Sequence, residues 1–167
     1  KELNINDTSA LETVAESLLS FDSDGFTLGS DATVNTSSSP NMAVGLKEDV
    51  AAGFAINHNV AHTSGTPTNI AHGLGAAPNM VWAKRTDSTG GWYHYHSNMN
   101  GTLIHSHKFI NTTALETTLT DAWGTHTSTN TIIDTLPSGT YTIYSFVDVT
   151  GFHKSFIYEG NSNANGP

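Results

Sequence analysis

The 167 residues carry a formal charge of −9, with six Lys and Arg against 15 Asp and Glu, and they contain no cysteine. Without a basic stripe to follow phosphates or an anionic lipid surface, nucleic acid is excluded as a partner. No apolar run reaches the ~18 residues of a membrane span, and thiolate and disulfide chemistry have no residue to use. Thr (24 residues) and Ser (17) are abundant, which favours strands and turns over long helices. In chain order, Ser9-x-x-Glu12 is a capping box. Leu11, Val14, Ala15, Leu18 and Leu19 then keep a 3.6-residue period, so one short helix is predicted over Ser9–Ser20. A strand follows over Phe26–Val34. Further strands are predicted at Asn79–Lys84, Trp92–His96, Leu103–His107, Thr140–Val147 and Ser155–Tyr158. Turn signals separate them at Asp24-Gly25, Gly65-Thr66-Pro67, Gly73-Leu74-Gly75, Gly90-Gly91, Asn100-Gly101 and Pro137-Ser138-Gly139. The expected fold is therefore mainly β: an antiparallel β-sandwich-like repeat module with one short helix near the N-terminus.

Two short runs recur in order. Ser9-Ala10-Leu11-Glu12-Thr13 returns as Thr113-Ala114-Leu115-Glu116-Thr117, an offset of 104, and the Gly53-Phe54 pair returns as Gly151-Phe152, an offset of 98. Such periodicity makes these residues scaffold before they are anything else. It divides the chain into residues 1–63, the distal part of a first copy, and 64–160, a nearly complete second copy. Residues 161–167 are then a linker or the start of a further copy. A thin core in a Thr/Ser/Asn/Gly-rich chain needs help from neighbours, so an oligomer or larger assembly is expected.

Nine histidines are many for this length, and four form a pattern. Asn100-Gly101 suits the two central positions of a type I′ turn. Cross-strand partners would then sum to 201, so His96 faces His105 and His94 faces His107. All four imidazoles would share one face with Trp92. Such a cluster can close on Zn²⁺, or as His-x-His pairs around a symmetry axis on an octahedral metal such as Fe. The alternatives are a sheet face on which His is a tolerated polar aromatic, and a hairpin loop longer than two residues, which breaks the register; no carboxylate is placed to orient the rings. The expectation is no resident cofactor, with Zn or Fe at His94, His96, His105 and His107 as the alternative. His72-Gly73-Leu74-Gly75 lacks the Lys and the helix of a phosphate loop and reads as a tight turn. No Ser sits on a nucleophile elbow, and the chain is not expected to be an enzyme.

The stretch Ile70-Ala71-His72-Gly73-Leu74-Gly75-Ala76-Ala77-Pro78-Asn79-Met80-Val81-Trp82-Ala83-Lys84-Arg85 carries a resemblance. With Gly91-Trp92, Tyr95-His96-Ser97 and Asn111-Thr112-Thr113-Ala114, it resembles a repeat module of structural proteins of marine tailed phages. Asp24-Gly25-Phe26-Thr27-Leu28-Gly29 is similar to the distal part of that module. Among the four hairpin histidines only His96 matches a position where that family commonly has His, and residues 33–45 lack the aromatic strand usual there. The resemblance implies a virion component outside the cell (fibre, spike, tail or capsid appendage) whose partners are further copies of itself and other virion proteins. A carbohydrate-binding role is the alternative. Trp82, Trp92 or Trp123 would then stack on the sugar rings of a host-surface glycan, although Trp is more often a core anchor.

Overall fold

The computed structural model describes residues 3, 8–38, 40, 45–98, 121–156, 158 and 162, together with the backbone at 106–109 and 117–118. Its strands are β1 (Leu18–Phe21), β2 (Phe26–Leu28), β3 (Phe54–His62), β4 (Thr68–Ala71), β5 (Met80–Arg85), β6 (Trp92–His96), β7 (Ser106–Phe109), β8 (Thr117–Thr118), β9 (Asn130–Ile133) and β10 (Gly139–Phe146). The pairings are antiparallel. They build a six-stranded sheet in the order β3-β10-β5-β6-β7-β8 and two ribbons, β1-β2 and β4-β9. No helix occurs among the described residues.

β10 is an interior strand of the sheet, paired with β3 on one side and β5 on the other, and its composition explains why. Thr140 to Phe146 is rich in β-branched and aromatic residues, and both faces of the strand are covered. Alternation sends Tyr141 and Ile143 to one side, in register with Arg85 and Ala83 of β5. On that side Val81, Ala83, Tyr93, Tyr95, Tyr141 and Ile143 meet Ile70 and Ile133 of the β4-β9 ribbon, with Trp123 and Leu136 from its flanks. Each buried side chain of this size contributes roughly 1.5–3 kcal/mol through removal of apolar surface from water. Ribbon and sheet are also joined by polar bonds made in the dry interior. The hydroxyls of Thr131 and Ser145 lie 2.7 Å apart with both residues fully buried. The Tyr141 hydroxyl donates to the Pro137 carbonyl at 2.7 Å, fixing the turn that leads into β10.

The opposite face carries a row of aromatics and one buried cation. Lys84 is fully buried, and its ammonium donates to the carbonyls of Thr8 (3.2 Å), Ser9 (2.5 Å) and Gly90 (2.8 Å). These bonds hold the N-terminal segment across the sheet, where the Leu11 amide also donates to the Thr86 carbonyl at 3.1 Å. The sheet edge at β3 is blunted by a side chain: the Glu48 carboxylate accepts the Ile56 amide proton at 2.8 Å.

The helix expected over Ser9–Ser20 is not formed. Its first half spends its backbone groups on Lys84 and Thr86, Glu16 sits at φ 60, and Leu18 begins β1. Tertiary partners override an amphipathic period here, since a left-handed residue ends any helical run. The strand expected over Phe26–Val34 stops at Leu28, and residues 32–34 form a turn. Ser155, Phe156 and Tyr158, expected in a strand, lie outside any strand. The expected boundary between 63 and 64 falls inside one sheet, because β3 pairs with β10 from Phe54 to His62. The Asn100-Gly101 turn and residues 113–116 of the recurring run lie outside the described residues, as does the 161–167 segment apart from Ser162.

Candidate functional site

A bulge in β3 positions two exposed polar groups. Val60 pairs with Tyr141 and Asn57 with Ile143, so His58 and Asn59 together oppose Thr142 alone. An extra residue bends the strand and re-aims its side chains. Asn59 takes φ 55, a conformation that Asn tolerates better than most residues because its short side chain bonds locally. Both His58 and Asn59 are exposed as a result, and the His58 Nδ1 lies 3.5 Å from the Thr142 hydroxyl. Facing them is the N-terminal segment that Lys84 pins down. Between the two runs a cleft of 450 Å³, with Leu3 and Leu11 on one side and His58, Asn59, Thr142 and Tyr144 on the other. A second hollow of 570 Å³ is lined, among the described residues, by the loop Asp148–Lys154.

Tyr144 connects the cleft to the aromatic row. It is in register with Trp82, and Trp82 with His94, so all three occupy one face. Ring centroids lie 6.5 Å apart for Trp82 and Tyr144, 5.9 Å for Trp92 and Tyr144, and 5.1 Å for Trp82 and Phe146. Phe54 stacks on Phe146 at 4.8 Å. Offset and edge contacts at these distances stabilise the row by roughly 0.5–1.5 kcal/mol per pair beyond burial.

The three tryptophans expected to stack on sugars separate by burial. Trp123 is fully buried in the core beside Tyr95, and Trp92 is 4% exposed, so neither presents a ring face to a ligand. Trp82 alone is half-buried. The expected histidine face is also corrected. β6 and β7 pair Tyr93 with Phe109 and His94 with Lys108, so partners sum to 202 and not 201. In this register the backbone partner of His94 is Lys108 and not His107. His105 lies outside the described residues, and no group of three or more ligating side chains occurs among those described. His96 is 3% exposed; its Nδ1 accepts the Asn98 amide at 3.1 Å, and its Nε2 has no partner among the described residues.

Three histidines outside the hairpin, His62, His72 and His126, are tied to the backbone. His62 Nε2–H donates to the Leu136 carbonyl at 3.1 Å. His72 accepts the Leu74 amide at Nδ1 (3.0 Å) and donates from Nε2 to the Thr127 carbonyl (3.3 Å). The Gly73-Leu74-Gly75 run is thus a turn braced by a ring, with Gly73 at φ 69 and Gly75 at φ 76. His126 accepts the Ile132 amide at Nδ1 (3.1 Å) and packs edge-on to Tyr95 at 4.3 Å. Burial, with the neighbouring His72, pushes the His126 pKa down to about 4. Burial lowers those of His62 and His72 as well. These rings are neutral structural groups near neutral pH. The cleft residues His58, Asn59 and Thr142 were not legible beforehand; their one signal is the polar Asn57-His58-Asn59 interruption in an otherwise strand-like run.

Sheet, ribbons and cleft together define a mainly β domain with antiparallel pairing. No helix among the described residues is long and apolar enough to cross a membrane. Over residues 1–167 the chain belongs to the family described as a domain of unknown function (DUF7483). No curated protein and no solved structure matches it.

Proposed function

We propose that this chain is a non-enzymatic structural component of a phage virion, a fibre, spike, tail or capsid appendage that supports or displays a surface for host attachment. In this reading its fold is a sandwich-like repeat module that assembles with other copies and other virion proteins. The observation that carries the assembly role is where large apolar side chains remain exposed. Phe21 (79%), Phe152, Phe156 and Tyr158 (70–72%) and Leu46 (66%) stand in solvent, while the sheet's own core is closed. Exposed apolar side chains of this size support an assembly role where they join into one patch. The virion placement rests on the resemblance of residues 70–85 and their sequels to the phage repeat module. Mass spectrometry of density-purified particles tests it: the polypeptide should co-purify at a fixed copy number. Its presence in the lysate together with its absence from particles would sink the proposal.

The cleft favours a second reading, a carbohydrate-binding site. Tyr144 offers an apolar ring beside the exposed polar groups of His58 and Asn59, with half-exposed Trp82 next in the row. This combination of one apolar face and a few polar groups suits a sugar ring. On a glycan array the chain should retain at least one ligand, and Tyr144→Ala should weaken it about tenfold or more. Binding that survives Tyr144→Ala and Trp82→Ala with unchanged affinity would exclude this cleft.

A further inference from the structure

The β1-β2 hairpin and the segment leading into β9 share one backbone design at an offset of 105 residues. Leu18 bridges Leu28, and Trp123 bridges Ile133. The Gly29 amide donates to the Ser17 carbonyl at 2.8 Å, and the Asp134 amide to the Ala122 carbonyl at 3.2 Å. At the tips, the Asp22 amide donates to Gly25 and the Thr127 amide to Asn130, each at 2.9 Å. Both hairpins are entered through a non-glycine residue in the left-handed region, Glu16 at φ 60 and Asp121 at φ 57. Four matched features in two sequences this different are not the generic geometry of a hairpin, whose turn and entry vary freely.

Their surroundings differ completely. In the second hairpin Trp123, Thr131 and Ile133 are fully buried and His126 is 8% exposed, because β4 pairs along β9 and the sheet covers the apolar face. The equivalent positions of the first hairpin are Leu18 (45% exposed), Phe26 (44%), half-buried Leu28 and Phe21 (79%). A two-stranded ribbon showing four large apolar side chains to water is marginal on its own. The sister hairpin shows what satisfies this design: a β4-like strand on the free edge and a sheet face like that of Val81, Ala83, Tyr93 and Tyr95.

We infer that the β1-β2 hairpin is a docking element for a second module of the same family, lying ahead of it in one polypeptide. That module adds its β4-like strand to β2 and covers Leu18, Phe21, Phe26 and Leu28 with its β5-β6 face. The chain is then a link in a head-to-tail array. The inference rests on the repeat part of the proposed function and is independent of the virion part.

The test joins a duplicate of residues 64–105 directly ahead of Lys1 of the full chain, which preserves the 105-residue spacing. Hydrogen exchange is then followed at Phe26, Thr27 and Leu28, with the β10 amides as an internal record that the chain is folded. The expected result is exchange slowed about tenfold or more at the hairpin, lost again in the fused chain with Phe26→Asp. Unchanged hairpin exchange in a fused chain whose β10 and duplicated β5-β6 amides are both protected would overturn the inference. So would a duplicate that stays unprotected throughout, since the proposed covering face would then not form. Concentration-dependent dimerisation of the unfused chain that Phe21→Asp and Phe26→Asp abolish would also overturn it, in favour of a second chain as the occupant. None of these outcomes touches the virion reading, which is decided by the purified particles.

Discussion

At the residue scale, the buried histidines make stability depend on pH. Nδ1 of His126 already accepts the Ile132 amide proton, so a second proton there would set two donors against each other in the core. The folded value of about 4 lies below the ordinary 6.5. Between those values the unfolded chain binds more protons than the folded one, so stability falls as pH is lowered. The contribution is fully present above pH 6.5 and is lost progressively toward pH 4, reaching about 3 kcal/mol for this ring. His62 and His72, also lowered by burial, act in the same direction. Urea unfolding at pH 7.5, 5.5 and 4.5 should show this fall. His126→Asn, which keeps an acceptor near the Nδ1 position, should flatten it. A slope unchanged by that substitution would assign the pH dependence to other groups.

At the scale of elements, the N-terminal segment is held by one buried side chain together with two backbone bonds, Leu11 N–H to the Thr86 carbonyl and Gly90 N–H to the Thr8 carbonyl. Three carbonyls converge on the Lys84 ammonium, two from residues 8–9 and one from the turn between β5 and β6. Lys84→Met keeps most of the buried apolar stem and removes every donor, leaving those carbonyls to find water. A loss of roughly 3 kcal/mol is expected, along with faster proteolysis between Thr8 and Val14 than anywhere in β10. Unaltered cleavage there would mean that the segment is held by other contacts. The same element shows where periodicity misleads. Leu11 to Leu19 has a helical pattern, but its first half serves as a wall against Thr86 and Lys84 and its second half as a strand. By contrast β5, β6 and β10 were legible almost to the residue, because Met80–Arg85, Trp92–His96 and Gly139–Phe146 lie between strong turn signals. β3 was not legible. Its bulge at His58 and Asn59 breaks the alternation on which strands are recognised, and its partner β10 lies some 80 residues away.

At the scale of the whole molecule, one hairpin design occurs twice and finishes differently. Around β9 it meets β4 and the six-stranded sheet and becomes core, whereas at β1-β2 the same backbone stands open. The register behind the histidine face differs for a related reason. Its composition was read correctly, but its register was inferred from one turn, and the sheet pairs β6 with β7 one residue away.

Composition and local pattern were enough to determine a β-rich chain, its three best strands and most of its turns, because those follow from side-chain preference within a few residues. Register, the fate of each tryptophan and the site at the bulge were decided only by the tertiary structure. They depend on which distant strand supplies the neighbouring hydrogen bonds, and a one-residue choice there exchanges the buried face for the exposed one.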